Sequence, residues 1–266
     1  MNEQHIPDVH VFADAQFAEL TTIGNAALTE VENTYGSGYP HYLNGEDGGL
    51  SYHNRHHSAF VRDGSEAMGH ALGLTKEERA IAQVAGAAHD IVQLKPRGVM
   101  EAESADWLAT ELRRRAFDER IVQAGALAIL GTEPVFAGGV LSQVASTQQY
   151  PSRSAEQIAM SVACADLGEL YAPTGPLVGH ELYREMAGIE PGVEPPMEGL
   201  IAFQRGQTVL TEEYQFPHPM GEQVFAALKP EVVAYSADVL QRLERGEIHS
   251  WDQLIVEDEA FMRRHS

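Results

Sequence analysis

Apolar residues recur at helical spacing along nearly the whole chain, and no sustained apolar–polar alternation bounded by hairpin turns interrupts them. Phe17, Leu20, Ile23, Ala27, Leu28 and Val31 mark one face of a first helix over Ala13–Tyr35, ended by the Gly36-Ser37-Gly38 break. Before it, Met1–Val11 is polar, contains Pro7 and reads as an extended arm; after it, a loop with Pro40, Gly45, Gly48 and Gly49 leads to the next segment. That segment, around His53 and His57, reads as helix, which places these two side chains one turn apart on one face. Thr75-Lys-Glu-Glu78 has the form of a capping box, so a helix starts at Lys76, and the run Ala80, Ile81, Ala82, Val84, Ala85, Ala87, Ala88 is apolar enough to be buried. His89 and Asp90 fall near its C-terminal end.

Glu101–Phe117 resumes the helical pattern, and Asp118 caps a further helix through Leu130. Gly131–Gly139 reads as a loop before a short helix. Ser154-Ala-Glu-Gln157 offers a second capping box, opening a helix through Ile158, Met160, Val162 and Cys164 to Asp166 and Leu167. Helices are also expected at Gly179–Met186, Leu200–Tyr214 and Pro219–Leu228, followed by a last one with Pro230 in its first turn and Gly246 just past its end. The pattern predicts an all-α fold: a single helical domain with its core over about residues 13–187 and a helical extension over about 198–266, joined by the Pro/Gly-rich stretch Gly188–Gly199.

Composition narrows the partners. The 266 residues are 44% hydrophobic and 21% charged, an ordinary globular balance, but 39 acidic against 18 basic residues give a formal charge of −21. A field of that sign repels duplex nucleic acid and anionic membranes, while leaving room for a small phosphorylated substrate whose charge a metal or an arginine offsets locally. The lone Cys164 excludes an internal disulfide and reads as a small core residue. With no basic, apolar leader and no apolar run long enough for a bilayer, the expected location is the cytoplasm. A homo-oligomer is compatible with all of this.

The candidate chemistry lies in Ser51–Gln93, which holds five of the chain's twelve histidines. His53, His57, His89, Asp90 and Asp166 fall on three expected helices, the way bundles build internal metal sites from facing side chains. Two imidazoles with two carboxylates suit one divalent ion such as Mn, Fe, Co, Ni, Zn or Mg, and so few protein ligands leave positions open for water and substrate.

Together, Tyr52-His-Asn-x-x-His57, Ala88-His89-Asp90-Ile91 and Ala165-Asp166-Leu167 resemble the H…HD…D signature of the HD-domain metal-dependent phosphohydrolases. The Tyr-His-Asn-x-x-His element is similar to that of cyclic-nucleotide phosphodiesterases and small bacterial HD hydrolases, and Glu101-x-x-Ser104-Ala105 resembles an element that follows the HD pair in the latter. The resemblance covers roughly residues 51–170. It implies an HD-domain-like helical bundle in which His57, His89, Asp90 and Asp166 bind the metal and His53 acts as general acid. Between Ile91 and Ala165 there is no histidine, so the extra ligands of two-metal members, and of the di-iron oxygenases that resemble them, are missing and a mononuclear site is expected.

The activity so implied is hydrolysis of a small phosphorylated metabolite, a nucleotide phosphomonoester or diester, by a metal-activated water. Asp166 or Glu101 is positioned in the motifs to orient or deprotonate that water, and Arg55, Lys95 and Arg97 to offset phosphate charge. Structural alternatives stand beside these roles: Glu101 and Glu103 begin a helix where acids favour the dipole, and His56 faces solvent in the motif register. Tyr171 and Tyr183 read as core or surface aromatics rather than a base-stacking pocket. The functional alternative is a non-catalytic metal- or nucleotide-sensing module that uses the C-terminal extension as a partner surface.

Overall fold

The computed structural model describes residues 11–36, 50–96, 98–137, 140–190 and 192–266. The N-terminal arm up to residue 10, most of the glycine-rich loop before Leu50, and Arg97 lie outside them. Eleven α-helices follow one another among the described residues, with one small hairpin between the fifth and sixth. The first six are α1 (Asp14–Tyr35), α2 (Arg55–Ala71), α3 (Lys76–Ala88), α4 (Val99–Arg114), α5 (Glu119–Leu130) and α6 (Arg153–Asp166). After them come α7 (Gly175–Met186), α8 (Met197–Glu213), α9 (Met220–Phe225), α10 (Lys229–Glu244) and α11 (Trp251–His265). The all-α expectation therefore holds.

Local chemistry explains most boundaries. Thr75 and Glu78 form the expected reciprocal cap of α3, and the Asp118 carboxylate accepts from the Arg120 N–H at the start of α5. Pro230 sits in the first turn of α10, and Gly246 beyond its end has φ 71°, a conformation glycine adopts without strain. Some elements differ from expectation, and α11 lies beyond the last helix the pattern marks. Helix α6 is capped by Ser152, which accepts from the Ala155 N–H, and Ser154 donates instead to Glu78 Oε1, tying the starts of α3 and α6 together. In place of a loop over Gly131–Gly139, strands β1 (Pro134–Ala137) and β2 (Val140–Gln143) pair antiparallel, with Pro134 opposite Gln143. Val135, Phe136, Val140 and Leu141 supply the β-branched, aromatic and aliphatic residues that such a ribbon favours.

The main core lies among α1 to α6. Helix α3 runs through its middle, packed on α1, α2, α5 and α6, which is why Ala82, Ala85, Ala87 and Ala88 are fully buried. Small side chains let the helices approach closely. At Gly86 an added Cβ would sit 2.7 Å from Ser65 Oγ and 2.9 Å from the Val61 carbonyl oxygen, so α2 and α3 meet almost backbone to backbone. A second core gathers Leu177 and Tyr183 of α7 with Leu200, Val239, Leu243, Trp251 and Leu254 from the C-terminal helices. Cys164 and Tyr171 belong to a third cluster, and Tyr171 and Tyr183 are both buried, so neither offers a stacking surface.

Candidate metal centre

Three helix ends converge on one point. Helix α2 contributes His57 from its first turn; α3 delivers His89 and Asp90 immediately beyond its last residue; α6 ends on Asp166. Because α2 packs on both α3 and α6, these residues meet despite separations of up to 109 positions along the chain (166 − 57).

The geometry is that of a ligand set. His57, His89 and Asp90 offer donor atoms that all lie within 4.8 Å of one another and could hold a metal ion. His57 Nε2 is 3.3 Å from His89 Nε2 and 3.4 Å from Asp90 Oδ2, and His89 Nε2 is 3.0 Å from the same oxygen. Asp166 joins through both imidazoles, with Oδ1 3.4 Å from each Nε2. Donor atoms about 2.1 Å from a shared ion are roughly 3.0 Å apart at neighbouring octahedral corners and roughly 3.4 Å apart at tetrahedral ones.

The outer atoms of the rings strengthen this fit. His57 Nδ1 faces Glu169 Oε2 at 3.2 Å, and His89 Nδ1 faces the Gly86 carbonyl oxygen at 2.8 Å. With both Nδ1–H groups donating to these acceptors, the Nε2 atoms of the neutral rings present lone pairs to each other and to two carboxylates, an arrangement stable only with a cation or protons between them. Asp90 Oδ2 is buried beside His89 Nε2 with no hydrogen-bond partner of its own.

Electrostatics follow the same plan. Burial works against charge on His57, but hydrogen bonds to Asp166 and Glu169 outweigh it and hold its pKa at about 9 in the metal-free chain. His89 is raised as well: burial opposes, and the Asp90 charge leads the terms that overcome it. Asp90 and Asp166 are lowered despite burial, by the imidazoles around them, and Glu169 is held at about 2 by hydrogen bonds from His56 and His57 against its own burial. The cluster opens at the carboxylates. Side chains of His57 and His89 are at most 1% exposed, whereas those of Asp90 and Asp166 are 15% and 16% exposed.

Several sequence expectations need correction here. His53 is not on the helix of His57: Asn54 caps α2, its Oδ1 accepting from the His56 and His57 N–H groups, and His53 lies in the bend before it. Its ring still comes 6.0 Å from that of His57, edge to face. Glu185 of α7 fixes it there, accepting from the Tyr52 and His53 N–H groups at 2.9 and 3.0 Å and bonding His53 Nδ1. Burial disfavours the charged His53 ring, while Asp90 and Glu185 more than offset that and raise its pKa. Glu101 caps its own helix, its Oε2 accepting from the Gly98 N–H at 2.7 Å, and burial raises its pKa. Arg55 pairs with Glu32 of α1 at 3.1 Å, and Lys95 pairs with Glu103. Neither is brought to the cluster, and Arg97 lies outside the described residues. His56 is exposed as expected, yet its Nε2 lies 3.6 Å from Glu169 Oε1.

Four supporting residues escape sequence reasoning. Gln93 donates to Asp90 Oδ1 at 2.8 Å and Gln143 of the hairpin to Asp166 Oδ2 at 3.0 Å. Glu169 and Glu185 orient His57 and His53. Only Gln93 and Glu169 carry a local signal, each three residues after a cluster aspartate; Glu185 and Gln143 arrive by tertiary packing alone. Comparison of the chain with known protein families, with curated proteins and with solved structures finds no match.

Proposed function

We propose that this protein is a metal-dependent phosphohydrolase of the HD-domain kind, cleaving a small phosphorylated metabolite, a nucleotide monoester or diester, with one divalent ion held by His57, His89, Asp90 and Asp166. The observation that carries this reading is the pair of imidazoles whose Nδ1–H groups are already committed and whose Nε2 atoms share a 3.0–3.4 Å spacing with two carboxylates. A divalent ion there supplies a water of lowered pKa and polarises a phosphoryl oxygen. Asp166, at the open side of the cluster, orients the attacking water and receives its proton. His53 protonates the leaving oxygen; with Nδ1 tied to Glu185, its Nε2–H is the group that donates. Glu101 is occupied by its cap, so Asp166 alone takes the water-activating role.

The sensing module remains a second reading because of one observation: Arg55 and Lys95, expected to offset phosphate charge, bind glutamates elsewhere. Metal content of the purified protein, measured with phosphate or nucleoside release from a panel of nucleotides under added Mn, Co, Ni, Mg or Zn, separates the two. One ion per chain with turnover supports the hydrolase. One ion with no turnover on any ester supports the sensor, and absence of bound metal under all conditions overturns both.

A further inference from the structure

A second site lies between α1, α2 and α3, in a groove of about 460 Å³ that shares no residue with the metal centre. Its walls carry Arg62, Lys76 and Arg79, three of only 18 basic residues in a strongly acidic chain. Of the two carboxylates beside them, Asp63 is paired with Arg62, whereas Glu66 takes a neutral amide on one oxygen and keeps its charge for a ligand donor. Asp63 accepts from Arg62 Nε and Nη2 at 2.7 and 3.1 Å, and Glu66 accepts from the Gln83 amide at 2.6 Å.

Lys76 and Arg79 are left uncompensated. The chain has three lysines, and the other two, Lys95 and Lys229, each pair with a glutamate. Lys76 forms no hydrogen bond or ion pair among the described residues; its ammonium rests 4.0 Å from the centroid of the Phe17 ring. Arg79 donates from Nη1 to the Leu74 carbonyl and has no carboxylate partner among the described residues, while its stem packs against Gly69 and is thereby held in place. The two cations are three residues apart on α3, on one face, with Gln83 about a turn further along.

We propose that this groove binds a small elongated organic anion. The acid group sits between Lys76 and Arg79, the body lies over the apolar floor of Leu20, Gly24 and Val84, and a hydrogen-bond donor at the far end meets Glu66 and Asn25. Gln83, which holds Glu66, lies four residues beyond Arg79 and seven beyond Lys76, so the two ends are roughly 6–10 Å apart along α3. A phosphonate or phosphate linked by about six methylenes to an amine has that length and those ends.

The test is calorimetric titration with 6-aminohexylphosphonate and with hexylphosphonate, whose carbon–phosphorus bonds resist hydrolysis and so keep binding independent of any turnover. The wild type is expected to bind both, the amine-bearing probe more tightly. K76Q/R79Q weakens both by about tenfold or more, since two charged donors are lost; E66Q weakens only the amine-bearing probe; D90A leaves both unchanged. Lys76 is exposed, so K76Q alone carries the test should the double variant unfold. Equal binding by K76Q/R79Q and wild type, loss of binding in D90A, or no binding of either probe to the wild type overturns the proposal.

Discussion

Two buried histidine-containing networks stand among the described residues, and they differ in whether their atoms are satisfied. In the C-terminal helices His180 Nδ1 donates to Asp258 Oδ2 at 2.7 Å and Nε2 to Gln204 Oε1 at 2.8 Å. Tyr235 donates to the other Asp258 oxygen, and the Gln204 amide to Ser236. Both ring nitrogens of His180 thus have a partner in a closed hydrogen-bond network. At the candidate metal site the atoms crowd instead: the Nε2 atoms of two imidazoles lie 3.3 Å apart and within 3.0–3.4 Å of Asp90 and Asp166 oxygens, and Asp90 Oδ2 has no hydrogen-bond partner. A buried His–Asp pair by itself therefore says little. What distinguishes a site that could hold an ion from a structural pair is several ligand atoms converging on one point, more of them than the protons present can satisfy one by one.

The largest expected effect tests that contrast directly. Asp90→Ala abolishes metal binding and turnover, and it removes the stabilisation that saturating metal gives the wild type, about 2.7 kcal/mol at a hundredfold excess over Kd; elemental analysis and thermal unfolding with and without metal check this. Next, His53→Ala leaves metal content unchanged and lowers kcat by about 10²–10⁴-fold, and loss of the metal instead would make His53 a ligand. In the other cluster Asp258→Ala strands a buried imidazolium and costs about 3–5 kcal/mol in denaturant unfolding while metal stoichiometry stays the same. That network also responds to pH. Burial disfavours the His180 charge, but Asp258 overcomes this and raises its pKa above the ordinary 6.5. Its contribution is thus full below that value and drains as pH rises through the raised one, a slope that His180→Gln removes. The smallest effect is expected at Glu169→Gln, which weakens metal affinity about 10–100-fold by loosening the hold on His57 Nδ1.

Most helices are readable from local patterns because helical period and caps are short-range features. The capping box at Thr75 and Glu78, the cap at Asp118 and the burial of Cys164 are of this kind. The four cluster residues are readable only through the ordered motifs that resemble the HD-domain signature, since local spacing alone groups His53 with His57. Misreadings arose where neighbours compete for one role. Asn54 takes the cap and leaves His53 outside the helix, and Ser152 displaces Ser154 in the same way. Arg55 and Lys95 illustrate a further limit: in so acidic a chain, a cation near a motif finds a closer carboxylate, Glu32 or Glu103, before it reaches the site. The hairpin holding Gln143 and the helix holding Glu185 reach the cluster through packing that no local pattern records.

The close meeting of α2 and α3 at Gly86 has a consequence for how the two imidazoles are spaced. His57 and His89 stand on separate helices, so the aperture between their Nε2 atoms is a mechanical clearance, set by how near two rods lie. A single methyl group at position 86 would collide with Ser65 Oγ and the Val61 carbonyl and prise the rods apart. The carbonyl of that same residue accepts from His89 Nδ1, so one missing side chain sets both how near the two helices lie and how the His89 ring is turned.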